Sequence, residues 1–400
     1  MKSDRRIVVV GAGPAGAAVG TLLARRGFDV LLLERERHPR HHIGESLLPA
    51  SMPILEELGI STAELQRRYQ PKFGARFYDP IQDRLAVFEF AGRAGDPAPA
   101  YQVLREEFDA MLFEKARATG CEVLEQAEVA KIDTADDGDS PSVDLRDGRH
   151  ILARFVIDAS GRSALLASAR KTKTMLPTLG RLAVYNYYRD LEPHDEHDRR
   201  YITMYLFEGG WFWFIPLRDG RMSVGVVLAS AALTPELGAQ GQFELAVQRI
   251  PRLAQRLKRA TPLEPFRAAS DYSYKVSEKA GKNFVLIGDA AGFLDPIFSS
   301  GVHLGLNSAQ QAAKAVELRL RTGDGSALES YAKYMQRGFN VFEAFVTRFY
   351  NRGLIENLLM TANKSPQIQQ AVTQILAGHV WDSTNPVLKM IPEAHAVNAT

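Results

Sequence analysis

Three short segments carry residues that could take part in binding or catalysis: a pair of indoles, a turn before a helix, and a lone lysine. In Trp211-Phe-Trp213-Phe-Ile215-Pro216 the period of two places both indoles on one face of a strand, which also suits ordinary aromatic core. The segment from Phe293 to Gly301 precedes a helix, so its turn N–H groups could hold a small anion, although a glycine turn needs no ligand. Lys72 is a lone lysine between apolar neighbours, and most such lysines are solvated.

The N-terminal residues predict a dinucleotide site that would position these segments. An apolar strand from residue 7 leads into Gly11, Gly13, Ala15 and Gly16 and then into an amphipathic helix. The glycines permit a tight turn, close approach of a pyrophosphate and helix packing, while the helix N-terminus offers free N–H groups. A second strand ends at Glu34, about 20 residues on, where a carboxylate can bind a ribose hydroxyl.

Downstream motifs indicate which dinucleotide is bound. Phe284-Val-Leu-Ile-Gly288-Asp289 resembles the second flavin motif of the group A flavoprotein monooxygenases, in which the aspartate binds the ribitol chain. Asp158, in Asp-Ala-Ser-Gly-Arg, resembles that family's third motif, and Arg105 matches its arginine beside the cofactor. The resemblance therefore implies FAD, with Arg35 beside Glu34 also in the cofactor site.

The three opening segments together resemble the flavin-dependent halogenases within that superfamily. Those enzymes carry Trp-x-Trp-x-Ile-Pro, Phe-x-x-Pro-x-x-Ser-x-Gly and an early lysine followed two residues later by glycine, and this chain has all three patterns. The run containing Gly44, Glu45 and Ser46 also resembles the segment with which these enzymes wrap the flavin. Pro296 and Gly301, in the second pattern, are expected in the cofactor site too.

The resemblance implies a mechanism and a role for each segment. Reduced FAD and O2 convert chloride or bromide, held at Ser299, Ser300 and Gly301, into hypohalous acid. That acid travels to Lys72, which either forms a chloramine or orients the acid by a hydrogen bond. Trp211, Trp213, Ile215 and Pro216 form a barrier that keeps the substrate from the flavin. A lysine pKa lowered by desolvation would suit either role.

One departure from the family narrows the substrate. Tryptophan halogenases carry a glutamate where this chain has Phe298 in Asp-Pro-Ile-Phe-Ser-Ser-Gly. Without that base, an activated phenol or pyrrole is the expected arene, either free or tethered to an acyl or peptidyl carrier protein. The histidines add no base: His194 and His197 are predicted to be solvated, and His303 suits the core.

The sequence also bears on how the flavin is reduced, because it has only one dinucleotide-binding fingerprint. No second Gly-x-Gly-x-x-Gly follows a strand, which agrees with a separate flavin reductase that supplies FADH2. Two alternatives stay open. A flavin-dependent aromatic monooxygenase would share the FAD motifs without needing Lys72 or halide, and a non-halogenating relative such as a prenyl reductase would share the fold.

Composition excludes several other classes. The net charge of +2 indicates no nucleic-acid or membrane surface, and no apolar run reaches the roughly 18 residues of a membrane span. The single cysteine, Cys121, excludes an internal disulfide and a thiol metal site, so no metal is expected and Cys121 is predicted to be buried. A cytoplasmic enzyme of natural-product metabolism is the expectation.

The motif positions predict an α/β fold with a discontinuous Rossmann-like FAD-binding domain of the glutathione reductase type, as in p-hydroxybenzoate hydroxylase. Its segments are residues 1–71, 101–175 and 280–325. Residues 72–100 and 176–279 alternate like strands and predict an inserted, mostly antiparallel substrate sheet. Residues 326–400 form a helical region in which a stripe of Phe339, Phe342, Phe345 and Phe349 is expected to be core, with a pocket wall as the alternative.

Overall fold

The computed structural model describes residues 6–90, 99–134, 140–271, 273–351 and 365–391. In chain order the strands are β1 (Ile7–Val10), β2 (Val30–Leu33), β3 (Gln70–Lys72), β4 (Gly74–Asp79), β5 (Arg84–Glu89), β6 (Ala100–Gln102), β7 (Glu122–Leu124), β8 (Val129–Asp133), β9 (Ser142–Leu145), β10 (His150–Leu152), β11 (Phe155–Asp158), β12 (Lys173–Met175), β13 (Arg181–Arg189), β14 (Tyr201–Phe207), β15 (Gly210–Pro216), β16 (Met222–Ala229), β17 (Thr261–Pro262), β18 (Arg267–Asp271), β19 (Tyr274–Val276), β20 (Ala280–Gly281), β21 (Phe284–Leu286) and β22 (Gly292–Phe293). The helices are α1 (Pro14–Arg25), α2 (Met52–Glu57), α3 (Thr62–Arg68), α4 (Arg105–Ala118), α5 (Leu165–Ala169), α6 (Ala239–Gln248), α7 (Pro251–Leu257), α8 (Ser300–Thr322), α9 (Ser326–Tyr350), α10 (Pro366–Leu376) and α11 (Pro386–Lys389).

The first large sheet has the order β20-β21-β11-β1-β2-β7, and all of its pairs except β20–β21 are parallel. All four residues of β1 are buried, because packing covers both faces of the sheet. Helix α1 connects β1 to β2 and packs against α8. This is the predicted Rossmann-like arrangement, and the α/β fold is confirmed.

The second large sheet has the order β17-β13-β16-β15-β14-β4-β5, with β18 also paired to β13. It is mostly antiparallel, but β14 and β4 run parallel. Strand β15 places Trp211 and Trp213 in one hydrophobic cluster and Phe212 and Phe214 in another, as the period of two predicts. We call the side of this sheet that carries the two indoles the Trp face.

Helices α9, α10 and α11 cover the Trp face. The predicted stripe of Phe339, Phe342, Phe345 and Phe349 lies in the same cluster as the two indoles, and each residue is buried. The core interpretation of the stripe is therefore confirmed. Residues 91–98 of the predicted substrate sheet, and residues 352–364 and 392–400 of the predicted helical region, lie outside the described residues.

A small ribbon joins the two large sheets. Strand β3 pairs antiparallel with β6, and Ser46 forms an isolated bridge to Gln102 on β6. Only Phe73 separates β3 from β4 of the second sheet. Lys72 therefore lies where the two layers meet. The domain boundaries proposed from the sequence stay a prediction.

Candidate functional site

The glycine turn after β1 is packed too tightly for side chains at two positions. Gly11 has a φ of +100°, and a Cβ there would lie 2.3 Å from the carbonyl oxygen of Ala159. A Cβ at Gly16 would lie 1.8 Å from the carbonyl oxygen of Gly11. Helix α1 starts at Pro14, and no side chain caps its first turn. Its N–H groups can therefore face a pyrophosphate.

The carboxylate at the end of β2 is fixed against this turn. Oε2 of Glu34 accepts a hydrogen bond from the N–H of Ala12 at 2.9 Å, and Oε1 accepts one from the N–H of Glu36 at 3.0 Å. Arg35 is exposed beside it. Each carboxylate oxygen keeps a further lone pair with which Glu34 could bind a ribose hydroxyl.

Arg105 holds the strap segment, which we define as residues 42–46. Its Nη1 donates to the carbonyl oxygen of Ile43 at 2.6 Å and to that of Gly44 at 3.3 Å. Its Nε and Nη2 donate to Asp109 at 2.8 and 3.0 Å. Gly44 has a φ of +101°, which favours glycine. The guanidinium thus fixes the conformation of the strap segment.

The strap segment also connects to the second sheet. Oε1 of Glu45 accepts a hydrogen bond from the hydroxyl of Tyr187 on β13 at 2.8 Å. Burial raises the pKa of Glu45 to about 7. The buried hydroxyl of Ser46 has no hydrogen-bond partner among the described residues. A buried polar atom without a partner indicates a missing ligand, so this segment fits a bound FAD.

The two downstream flavin motifs meet the glycine turn. A Cβ at Gly288, which has a φ of +58°, would lie 3.0 Å from the Cβ of Ala15. Burial raises the pKa of Asp289 to about 6, and the charge of Arg105 opposes that rise. Asp158 instead braces its own loop, because its two oxygens accept the N–H groups of Ser160 and Leu166 at 2.9 and 2.8 Å. Contact between Asp158 and the cofactor stays a prediction.

Both indoles of the Trp face have defined hydrogen bonds. Nε1 of Trp211 donates to the hydroxyl of Tyr350 at 2.8 Å, and Nε1 of Trp213 donates to Oγ of Ser223 at 3.1 Å. The ring centroids of the two indoles are 6.0 Å apart. A Cβ at Gly225 would lie 2.2 Å from the ring of Trp213, so a glycine is required there. Ile215 and Pro216 complete the strand and are also buried. The two indoles are therefore held in fixed positions, and their role as a barrier stays a prediction.

The turn before α8 offers backbone donors without a side-chain cap. We call residues 295–301 the α8 turn. Ser299 is left-handed, with a φ of +55°, and α8 begins at Ser300 with no side chain capping it. A Cβ at Gly301 would meet nothing within 4 Å, and Pro296 is exposed. The first N–H groups of α8 can therefore receive an anion.

Tyr350 connects the α8 turn to the Trp face. Its hydroxyl accepts from Trp211 and donates to Oδ2 of Asp295 at 2.7 Å. Asp295 is fully buried, and burial raises its pKa to about 6. The guanidinium of Arg181 lies 4.2 Å from the ring centroid of Tyr350. The sequence did not single out Tyr350, although it directly follows Phe349 of the aromatic stripe.

Lys72 is buried, with 1% of its surface exposed, so the solvated interpretation is wrong. Its Nζ donates to the carbonyl oxygen of Leu47 at 2.8 Å and lies 5.1 Å from the ring centroid of Phe90. Burial lowers its pKa to about 7. A substantial share of this amine is therefore neutral, and nucleophilic, near neutral pH.

Phe298 occupies an apolar environment. Its ring centroid lies 6.4 Å from that of Phe77, 6.0 Å from that of Phe345 and 5.9 Å from that of Phe349. These rings pack edge to face or at a tilt, as aromatic rings prefer. The position that carries a glutamate in tryptophan halogenases is thus filled here by an aromatic cluster.

Comparison with known proteins decides the family. A family model described as tryptophan halogenase matches residues 91–377, and a model described as FAD dependent oxidoreductase matches residues 6–175. The chain belongs to the flavin-dependent halogenases. It is therefore an FAD-dependent oxidoreductase that uses a halide.

Two curated relatives and one solved structure illustrate the similarity of this halogenase to known members. It is 30% identical to a 1H-pyrrole-2-carbonyl-(peptidyl-carrier protein) chlorinase of Pseudomonas fluorescens, over 94% of this chain and 90% of the relative. It is 33% identical to a tryptophan 2-halogenase of Chondromyces crocatus, over 88% of this chain and 68% of the relative. The myxobacterial chondrochloren halogenase superposes with a TM-score of 0.81 at 29% identity, covering 98% of this chain and 96% of that one.

The predictions for three histidines, for Cys121 and for membrane-spanning segments can be compared with the structure of this halogenase. His194 was predicted to be solvated, but it is half-buried. Its Nδ1 lies 2.5 Å from the hydroxyl of Tyr205, and burial lowers its pKa to about 4. His197 is exposed and His303 is buried, as predicted. Cys121 is buried, also as predicted. Within the described ranges, every helix is too short or too polar to cross a membrane.

Proposed function

We propose that this halogenase uses FADH2, O2 and chloride or bromide to form hypohalous acid, which Lys72 relays to an electron-rich phenol or pyrrole. The observation that carries the proposal is the buried Lys72 amine, which contacts a carbonyl oxygen and an aromatic ring. Desolvation of an amine is costly, and such a cost is typical of a functional group rather than of a structural one.

The overall reaction balances with these reagents alone. The arene, hydrogen halide, O2 and FADH2 give the haloarene, FAD and two molecules of water. Bound FADH2 supplies the electrons that activate O2. The role of the α8 turn is to hold the halide at the N–H groups of Ser300 and Gly301, next to Ser299.

Lys72 acts after hypohalous acid has formed. As a neutral amine, Nζ can take the halogen and release water, which gives a haloamine. As an ammonium, it can instead donate a hydrogen bond to the oxygen of the acid and make the halogen more electrophilic. The structure suits both routes, because Leu47 provides an acceptor and the pKa of about 7 populates both states.

Trp211 and Trp213 keep the arene away from the cofactor. Their rings are held by Tyr350 and Ser223, so the wall has a fixed position. Exclusion of the arene would prevent direct oxygen transfer to it, which is the reaction of the aromatic monooxygenases. This is the feature that favours halogenation over the monooxygenase alternative.

A phenol or pyrrole is the favoured substrate class. The aromatic cluster around Phe298 provides no carboxylate that could remove a proton from an unactivated indole carbon. Phenols and pyrroles are activated enough to lose that proton without such a base. The carrier-protein pyrrole chlorinase among the relatives agrees with this choice, whereas the tryptophan 2-halogenase keeps indole as the second candidate.

We further propose a separate flavin reductase as partner and the cytoplasm as location. A reductase partner follows from the single dinucleotide fingerprint, since the chain has no second one for a nicotinamide. The purified protein alone should then oxidise no substantial NADPH.

The test is incubation with a flavin reductase, O2, halide and a panel of phenols and pyrroles, followed by mass spectrometry. We expect halogen isotope patterns in the products. Lys72→Ala should lower halogenation on the order of 100-fold or more, because a positioned group of this kind contributes about 10² or more, while FAD affinity stays within a factor of two. Lys333→Ala, at an exposed position on α9, is the matched control.

Three results would contradict the proposal. Oxygen added without halogen would favour the monooxygenase. Unchanged substrates, together with reduction of a prenyl double bond, would favour a non-halogenating reductase. Full halogenation by Lys72→Ala would remove the relay role.

A further inference from the structure

A groove runs between the edge strand β5 and helix α10. Its volume is about 590 Å³, which is within the range of small-molecule sites. Val87 and Glu89 line one wall, and Gln370 and Gln374 of α10 line the other. Nothing in the flavin chemistry described above requires this groove.

The inner end of the groove lies next to the Lys72 amine. Phe90 lines the groove, and the centroid of its ring is 5.1 Å from Nζ of Lys72. Pro49 also lines it, two residues after Leu47, whose carbonyl oxygen accepts the hydrogen bond from Lys72. Phe90 therefore contributes both to the lining of the groove and to the surroundings of the amine.

The walls carry several side-chain amides, together with the carboxylate of Glu89 and the imidazole of His379. Gln370 and Gln374 are four residues apart, so their amides point from the same side of α10. Nε2 of Gln369 donates to the carbonyl oxygen of Val87 at 3.1 Å and so holds the helix against the strand. The carboxylate of Glu89 accepts a hydrogen bond from the hydroxyl of Tyr201. Amide and carboxylate groups of this kind can exchange hydrogen bonds with a chain that carries amides.

We propose that this groove binds the amide-bearing pantetheine arm of a carrier protein and presents its aryl thioester past Phe90 to Lys72. The inference rests on the proposed function and selects the tethered form of the substrate. A free phenol or pyrrole would fill only a small part of 590 Å³. A tethered arene needs a path of this kind from the surface to the buried amine.

The groove can be blocked without changing the site around Lys72. Gln370→Trp and Gln374→Trp would each place an indole in the groove. Gln367→Trp makes the same change at an exposed position of the same helix that does not line the groove, and it is the matched control. Thermal unfolding of all three variants should agree with the wild type within a few degrees.

The first measurement is binding, which needs no turnover. The probe is a carrier protein whose arm bears an unreactive amide analogue of a pyrrole-2-carbonyl or hydroxybenzoyl thioester. We expect the loaded carrier to bind wild type and Gln367→Trp at least tenfold more tightly than the same carrier without a pantetheine arm. Both groove variants should lose that difference. Equal binding of the loaded and the armless carrier by the wild type would overturn the proposal.

The second measurement separates this inference from the proposed function. We expect Gln370→Trp and Gln374→Trp to lower kcat/KM for a carrier-bound arene at least tenfold, and to leave kcat/KM for a free phenol within a factor of two. If the wild type halogenates only free arenes, or if the groove variants process the carrier-bound arene normally, the groove proposal is wrong. If loaded carrier binds in the groove but no arene is halogenated, the proposed function fails and the groove assignment stands.

Discussion

Replacing Lys72 by methionine should stabilise the protein at neutral and acidic pH. Burial lowers the pKa of Lys72 from its ordinary 10.5 to about 7. The unfolded chain therefore binds a proton more readily than the folded one, and stability must rise with pH between these two values. Below pH 7 the full penalty applies, and it amounts to about 5 kcal/mol at 1.36 kcal/mol per pKa unit.

Lys72→Met removes this penalty and keeps an unbranched apolar stem of similar length. It also removes the hydrogen bond to Leu47, which costs about 1 kcal/mol. We expect the variant to exceed the wild type in free energy of unfolding by about 4 kcal/mol at pH 6. The gap should narrow by about 1.4 kcal/mol per pH unit above pH 7, and so by about 3 kcal/mol at pH 9.5.

The assay is urea unfolding followed by circular dichroism at pH 6, 7.5 and 9.5, with the same excess of FAD in every sample. Lys333→Met, at an exposed position of α9, is the control and should follow the wild type at each pH. A difference between Lys72→Met and wild type that does not change with pH would refute the desolvated amine. A destabilised variant at pH 6 would refute it as well.

Two further substitutions test the wall of the Trp face. Tyr350→Phe removes the hydroxyl that joins Trp211 to Asp295. We expect the free energy of unfolding, measured in urea, to fall by about 1–3 kcal/mol. We also expect a lower ratio of halogenated product to hydrogen peroxide for each FADH2 consumed. Gly225→Ala forces a methyl group against the ring of Trp213, so the indole must move; we expect a lower melting temperature and a shifted tryptophan fluorescence maximum.

Each of these two predictions has a clear contrary result. Unchanged product-to-peroxide ratio in Tyr350→Phe would mean that the bridge is only structural. Gly325→Ala is the control for the glycine change, because a Cβ there meets nothing within 4 Å and its φ is −85°. If Gly225→Ala behaves like Gly325→Ala, the close packing of Trp213 is wrong.

The sequence predicted features that depend on local periodicity. The shared face of Trp211 and Trp213 and the core position of the Phe339–Phe349 stripe follow from periods of two and of three to four, and both are confirmed. The parallel β1–β2 pair around Gly11 follows in the same way. In these cases the pattern within one element, or between one element and the next, decides which residues share a face, whatever residues then cover that face.

Features that depend on distant chain segments could not be predicted. Lys72 is buried beside Leu47, which is hydrogen-bonded to Tyr101 of β6, and Phe90, which follows β5, and no spacing along the chain predicts that these residues meet. His194 is held by Tyr205, although its own loop is highly charged. Tyr350 bridges elements far apart in sequence. The roles of the predicted site residues and the domain boundaries stay predictions.

The short passage from β3 to β4 has a consequence for engineering. Since only Phe73 separates the strand that carries Lys72 from the sheet that carries the Trp face, the amine and the wall belong to one continuous stretch of backbone and hydrogen bonds. The groove wall on α10 is a separate element that rests against edge strand β5 of this sheet, by contacts such as that of Gln369 with Val87. We therefore expect that substrate range can be changed separately from halogen transfer. Variant libraries confined to the exposed positions of α10 should change which substrates are accepted, while the positions of Lys72, Trp211 and Trp213 stay the same.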